Sequence, residues 1–163
     1  MNMRQYQLNL KKSWLILCLA LIQVQGFGQG AKPSSKVSQL LEQSGYSYSK
    51  DGDNLWTMNF RGKALGEFKV IITSVESMAA LLVVVAKRKE LNPTPELMRT
   101  LLRMNDDFDK VKVVVDKDGD LLVRVDTTIR IMDLDELKAN VEQVAAAADE
   151  VAKAIKPYTI KSK

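Results

Sequence analysis

The sequence predicts an α+β fold with an antiparallel five-stranded sheet and three helices packed on the sheet, in the order α-β-β-β-α-β-β-α. Stretches with apolar residues at helical spacing alternate with stretches rich in β-branched residues, which are separated by short turn signals. The run from Ala79 to Ala86 is apolar at every position. Such a run is typical of a central strand that is covered on both faces.

The first 28 residues have the pattern of a secretory signal peptide. Basic residues precede the apolar run Trp14–Ile22, which is shorter than the roughly 20 apolar residues that a membrane-spanning helix needs. Small residues follow this run, and we expect cleavage near Gly26 to Gly28. The mature protein is therefore expected to be periplasmic or secreted, without stable membrane insertion. Residues 29–36, "QGAKPSSK", have the composition of a flexible linker.

The charges of the mature chain are nearly balanced. The 163 residues include 24 Lys and Arg and 20 Asp and Glu, and 3 of the basic residues lie in the predicted signal peptide. Removing those 3 leaves 21 basic against 20 acidic residues, a net charge of +1. This balance gives no general electrostatic reason to expect nucleic-acid binding. The one basic run, Lys87–Lys89, is predicted to be a solvated loop at the end of a strand.

The residues available for catalysis are few. Histidine is absent, and the single cysteine, Cys18, lies in the predicted signal peptide. This excludes Ser–His and Cys–His catalytic pairs and histidine-ligated metal sites. Asp106, Asp107 and Asp109 are candidate hydrolytic carboxylates, but they lie at a predicted helix end, where solvated loop residues are expected. We expect no enzyme activity, no cofactor and no metal site.

A single domain is expected over residues 37–156, followed by a C-terminal tail at 157–163. Its first helix ends at Gly45, because glycine commonly terminates helices. Alternating apolar residues then predict a strand through Trp56 and a small extra strand at Tyr46–Tyr48 that pairs with it. The stretches "GEFKVIITSV" and "AALLVVVAKR" predict the next two strands, since both are rich in β-branched residues.

Two more helices are predicted in the second half of the domain. One spans residues 94–108, with Thr94 as N-cap and Pro95 at the first helical position. The other begins at Asp133, with Glu136 three residues later as in a capping box. The apolar stripe of the first consists of Leu97, Leu101, Met104 and Phe108. That of the second consists of Leu134, Leu137, Val141, Val144, Ala148, Val151 and Ile155.

The tetrapeptide "KDGD" occurs at residues 50–53 and 117–120, and the alternating aspartates around the second copy raise the question of a calcium loop. An EF-hand loop needs glycine at its sixth position and glutamate at its twelfth. Counted from Asp116, these positions hold Leu121 and Thr127. The calcium hypothesis therefore fails at two required positions.

A hairpin with residues 117–119 as its loop explains the second copy. It makes one face wholly apolar by placing Val115, Val113 and Val111 opposite Leu121, Val123 and Val125. It places Lys112 opposite Arg124 and Lys110 opposite Asp126 on the solvent face. Gly119 takes the left-handed position that such a loop requires. The first copy is predicted to turn in the same way, with Gly52 in that role and Tyr46 opposite Trp56.

The succession of "LWTMNF", "FKVIITSV", "LLVVVAKR", "PTPELMRTLLRMNDDF", "VKVVVDKDGDLLVRVD" and "DLDELKANV" resembles the YbjN family and its structural relatives, the class I type III secretion chaperones. The resemblance covers roughly residues 37–156, and the hairpin and final helix are its most specific part. It implies an α+β domain, often homodimeric, that binds other proteins and performs no chemistry. Those secretion chaperones are cytosolic, whereas this chain has the pattern of an exported protein.

The leading functional hypothesis is an exported, non-enzymatic protein-binding domain of the cell envelope, either chaperone-like or dimerising. The apolar strand at residues 79–86 needs cover on both faces, which a second copy or another protein partner would complete. The chain's own helices and connections are an equally open alternative for this cover. The residues predicted to form the interface or pocket are Trp56, Met58, Phe60, Leu97, Leu101 and Met104.

A periplasmic protein that binds a small hydrophobic ligand is the alternative hypothesis. Its pocket would lie between the sheet and the long last helix. The residues predicted to line this pocket are Trp56, Met58, Phe60, Val70 and Ile72.

Overall fold

The computed structural model describes residues 33–160, which contain three α-helices, two short 3-10 helices (Arg88–Glu90 and Lys156–Tyr158) and six strands. The helices are α1 (Pro33–Ser44), α2 (Pro95–Asp107) and α3 (Leu134–Ile155). The strands are β1 (Ser49–Gly52), β2 (Leu55–Arg61), β3 (Glu67–Val75), β4 (Met78–Ala86), β5 (Lys112–Val115) and β6 (Leu121–Thr128). The predicted signal peptide lies outside the described residues. Within residues 33–160, no helix has both the length and the apolar character that a bilayer crossing requires.

One antiparallel sheet contains the six strands, in the spatial order β1-β2-β3-β4-β6-β5. The predicted α+β class, antiparallel sheet and three helices are confirmed, and so is the central position of the apolar strand β4. The prediction of five strands was wrong. The additional strand is β1, at residues 49–52 and not at Tyr46–Tyr48, because Ser49 and Lys50 are the residues that pair with Thr57 and Trp56 of β2.

The predicted helix ends are confirmed by their capping contacts. Gly45 follows α1 with φ of 79°, a left-handed conformation that glycine adopts without strain. The Thr94 side chain accepts a hydrogen bond from the Leu97 N–H at 3.2 Å. The Asp133 carboxylate accepts one from the Glu136 N–H at 2.8 Å. Helix α1 begins at Pro33, inside the segment that the sequence predicts as linker.

The second "KDGD" forms the predicted hairpin. Val115 lies opposite Leu121 and Lys112 opposite Arg124, and Gly119 has φ of 82°. Oδ1 of Asp116 accepts hydrogen bonds from the N–H groups of residues 118 and 120, each at 2.9 Å. The Asp116 carboxylate thus organises the turn.

The first "KDGD" turns differently, and its predicted geometry was wrong. Gly52 pairs with Leu55 at the end of β1, so the connection to β2 is the two-residue turn Asp53–Asn54. Trp56 lies opposite Lys50 and not opposite Tyr46. Asp and Asn suit turn positions, so the turn does not need Gly52 in a left-handed conformation.

All three helices pack on one face of the sheet. Helix α3 contacts β3, β4 and β6; α1 contacts β3 and α3; α2 contacts β5 and α3. Buried strand residues on this face are in register, as Ile72 opposite Leu81 and Leu81 opposite Val125 show. They belong to one core cluster with the helix residues Leu97 and Val144. The core therefore lies between the sheet and a single helical layer.

Asp149 of α3 fixes the connection between β2 and β3. Its carboxylate accepts hydrogen bonds from the N–H groups of Lys63 at 3.1 Å, Ala64 at 2.7 Å and Leu65 at 2.9 Å. These bonds, that from Leu65 above all, hold the pKa of Asp149 below its ordinary value. A Cβ atom at Gly62 would lie 2.1 Å from the Asp149 Oδ1 atom. Glycine is thus the residue that lets the loop approach α3 closely.

Candidate binding surfaces

The six residues predicted to form an interface or pocket lie in or against the domain core. Trp56, Met58, Leu97 and Leu101 are buried. Phe60 and Met104 are half-buried and pack against the same core. These side chains hold the sheet and helices together, and a direct role for them in binding stays a prediction.

Most residues predicted to line the ligand pocket between the sheet and the long helix are buried. Trp56, Met58, Val70 and Ile72 are at most 2 % exposed and share one core cluster with Leu41 of α1 and residues of α3. A pocket for a small hydrophobic ligand at these residues stays a prediction.

The opposite face of the sheet is the first candidate surface, and we call it the open sheet face. The described helices all contact the other face. Half-buried apolar side chains lie side by side on the open sheet face: Ile71 opposite Leu82 at its centre, and Val84 opposite Leu122 opposite Val114 towards the edge strand β5. Leu55, Val75 and Met78 extend this surface to one end of the sheet, with 36, 68 and 42 % exposure.

Charged residues lie along the β6–β5 side of the open sheet face. Arg124 Nε donates to Asp126 Oδ1 at 2.6 Å, and Lys112 Nζ lies 3.5 Å from Asp126 Oδ2. This polar margin fits the prediction that these residues face solvent. The apolar centre and the charged margin together resemble the composition of a protein interface, with its apolar core and polar rim.

The second candidate surface is a groove of about 700 Å³ beside α2, which we call the α2 groove. Its floor is buried, and its walls are exposed apolar side chains at Met98, Val115 and Ile160, with 39, 49 and 55 % exposure. Other apolar lining residues are Leu91, Pro93, Leu97, Leu101 and Leu121, and the polar ones are Lys87, Arg88, Lys89 and Asp120.

The C-terminal segment builds one wall of the α2 groove. Thr159 forms an antiparallel bridge with Leu91, and the Ile160 N–H donates to the Glu90 carbonyl at 2.8 Å. This places Ile160 against the β4–α2 connection, about 70 residues away in sequence. No local pattern in the sequence indicates this contact.

The second "KDGD" turn holds the basic rim of the α2 groove in place. Asp120 binds the Lys87 Nζ at 2.7 Å through Oδ2 and accepts the Arg88 N–H at 2.9 Å through Oδ1. These contacts, that with Lys87 first, hold the pKa of Asp120 below its ordinary value, and Asp120 raises the pKa of Lys87. The Arg88 stem packs over Gly119, where an added Cβ would lie 2.8 Å from its Cδ. The predicted solvated loop at 87–89 is exposed, and it lies beside an apolar groove.

Asn105 of α2 closes the outer edge of β5. Its side chain accepts the Val113 N–H at 2.6 Å and donates to the Val113 carbonyl at 3.1 Å. An unpaired strand edge is a template for adding another strand. The Asn105 amide occupies both groups of Val113 and so limits strand addition at this position.

The acidic residues considered for catalysis do not form an enclosed site. Asp106, Asp107 and Asp109 are exposed at the end of α2. Among residues 33–160, no group of three or more acidic or other ligating side chains is arranged to hold a metal ion.

Comparison with solved structures places the fold among known ones. A chain of the heterodimeric complex ExoU–SpcU from the type III secretion system of Pseudomonas aeruginosa superposes with a TM-score of 0.53 at 18 % identity, covering 74 % of this chain and 98 % of that one. YbjN from E. coli superposes with a TM-score of 0.56 at 14 % identity, covering 79 % and 96 %. A chain of the ExsC–ExsE complex superposes with a TM-score of 0.53 at 16 % identity, covering 75 % of this chain and 95 % of that one.

A search of curated protein sequences finds no match to this chain. The profile of the YbjN family, described as "Putative bacterial sensory transduction regulator", matches residues 33–157. This range begins with α1 and extends two residues beyond α3, so it includes the entire sheet and all three helices. The chain therefore belongs to the YbjN family.

Proposed function

We propose that this chain is an exported, non-enzymatic protein-binding domain of the cell envelope that self-associates through its open sheet face. The observation that supports this most directly is the one-sided helical layer: none of the helices within residues 33–160 covers Ile71, Leu82 and Leu122. Apolar surface of this kind is stabilised when a protein partner removes it from water. A second copy of the chain carries the same apolar centre and charged margin. Two copies facing each other would bury both apolar centres and leave the charged margins at the rim of the interface.

The structural relatives support protein binding as the class of function. Two of the similar chains were solved in complexes between two proteins, ExoU–SpcU and ExsC–ExsE. Catalysis is less well supported, because the sequence has no histidine and the candidate carboxylates are exposed.

Self-association predicts a dimer mass by light scattering over a concentration series. Leu82→Arg should shift the protein to monomer, because it places a charge at the centre of the open sheet face. Leu102→Arg is the matched control, since Leu102 is an exposed leucine of α2 outside this face, and it should stay dimeric. Circular dichroism must show that both variants are folded. A wild-type protein that is monomeric at every concentration would refute self-association.

Export predicts that the protein purified from its native cells lacks the signal peptide. Intact-mass spectrometry should give a chain that starts after Gly26 or Gly28, and cell fractionation should place it outside the cytoplasm. Replacing Leu17 with arginine interrupts the apolar run Trp14–Ile22 and should leave an unprocessed cytoplasmic chain. A chain that begins at Met1 in wild-type cells would contradict export.

A further inference from the structure

The α2 groove is a second surface, separate from the open sheet face, and its chemistry identifies a kind of partner. We propose that it binds an amphipathic segment of another protein that carries carboxylates beside its apolar side chains. The open sheet face lies on the side of the sheet away from the helices, whereas the α2 groove lies along a helix. Binding at the groove therefore does not depend on self-association.

The apolar part of the groove is suited to side chains from a partner. Among the exposed large apolar residues in the described part of the chain, Met98, Val115 and Ile160 line the groove. They stand over a floor that includes Leu97 and Leu121, each 0 % exposed. Exposed apolar walls above a packed apolar floor favour the removal of water by an apolar ligand.

The shape of the apolar surface favours a protein segment over a compact small molecule. Leu102, 69 % exposed, lies four residues after Met98 on the same side of α2. Four residues advance the helix by about 6 Å, so the apolar surface continues past the groove as a stripe along α2. An amphipathic helix presents apolar side chains with this spacing.

The positive charge of the groove rim favours a negatively charged partner. Lys87 is paired with Asp120, and within residues 33–160 neither Arg88 nor Lys89 takes part in an ion pair. The polar lining thus has three cations and one anion, a net charge of +2. The mature chain as a whole has a net charge of only +1. The excess of positive charge is therefore local to the groove, and it favours carboxylates on the partner.

The rim is also pre-organised. The Arg88 N–H is fixed on Asp120, and the aliphatic part of Arg88 packs on Gly119 of the hairpin turn. Less conformational freedom is lost on binding when the charged groups are already positioned. This gives the second "KDGD" a role beyond its turn: it holds Lys87 and the stem of Arg88 at the rim of the groove.

The test uses fluorescence anisotropy with three labelled synthetic amphipathic helical peptides of about 15 residues. They share the same leucines and carry glutamate, glutamine or lysine at all polar positions. With the wild-type protein, the glutamate peptide should bind about five- to tenfold more tightly than the glutamine peptide, as expected for two exposed ion pairs. The lysine peptide should bind most weakly. The glutamate preference should shrink in high salt, where charges are screened.

Variants separate the charge contribution from the apolar one. Arg88→Glu with Lys89→Glu should reverse the preference in favour of the lysine peptide. Lys50→Glu with Lys153→Glu is the control of equal charge change, because both residues are exposed and neither lines the groove; it should keep the glutamate preference. Met98→Glu should abolish binding of all three peptides, and unfolding curves must show that it is folded.

Two results would overturn the inference. One is equal affinity for the glutamate and glutamine peptides, which would leave an apolar groove without charge selection. The other is the absence of binding by any peptide. Neither result bears on the dimer mass or its loss in Leu82→Arg, so a failure here is distinguishable from a failure of the proposed function.

Discussion

Leu97→Ala is expected to lower the free energy of unfolding by about 2–5 kcal/mol, whereas Met98→Ala should change it by less than about 0.5 kcal/mol. The two residues are adjacent in α2, but Leu97 is 0 % exposed in the core and Met98 is 39 % exposed on the α2 groove. Removing the Leu97 side chain leaves a cavity between α2 and the sheet. Met98→Ala removes atoms at a surface that is already exposed to solvent, so it leaves no buried cavity.

Urea unfolding of both variants measures this difference, and peptide binding supplies the complementary readout. Met98→Ala should weaken binding of the glutamate peptide, because Met98 forms part of a wall of the α2 groove. Leu97 lies in the floor of the same groove, so Leu97→Ala tests the stability difference alone. A Leu97→Ala variant as stable as Met98→Ala would contradict the burial of Leu97 in the core.

The sequence predicts the inner side of α2 well because burial imposes the helical period on it. Leu97 and Leu101 recur every four residues, and both are buried. The outer side of α2 is different, because the role of Met98 and Leu102 depends on the residues that lie beside them in the fold. Ile160 and the turn residues Gly119 and Asp120 line the same groove as Met98, but they are distant in sequence and leave no periodic signal. The groove could therefore not be predicted from local patterns.

The two "KDGD" copies show how tertiary context decides between equal local signals. In the second copy, alternate valines on both strands must reach the core, so only a three-residue loop keeps them on one face. In the first copy, all four residues of β1 are exposed. Little burial depends on that register, and the turn moves to Asp53–Asn54. Burial on one side of a hairpin is what made the second copy predictable.

Gly62→Ala is expected to destabilise the domain at the upper end of about 1–3 kcal/mol, the range for overpacked sites. The new Cβ would lie 2.1 Å from Asp149 Oδ1, so the loop or the carboxylate must move. Gly52→Ala is the matched control. Gly52 has no left-handed φ, and its Cβ would meet Leu55 Cβ at an ordinary 3.6 Å. Thermal unfolding should show a large decrease in melting temperature for Gly62→Ala and little change for Gly52→Ala. Equal decreases for the two variants would contradict the close approach of the loop to Asp149.

The pH dependence of Asp149→Asn tests the same contact from the other side. Hydrogen bonds from the loop N–H groups stabilise the carboxylate, so its pKa in the folded chain lies below the ordinary value of 3.8. A lowered pKa contributes stability above pH 3.8, and this contribution disappears as the pH falls through the folded-state pKa. The wild type should therefore be clearly more stable than Asp149→Asn at neutral pH, and the difference should narrow in acid. Asp120 and Glu136 also have lowered pKa values, but they are present in both proteins and cancel in the comparison. A difference that stays constant from neutral to acid pH would show that the charge of Asp149 does not hold the loop, and Gly62 would then be explained by space alone.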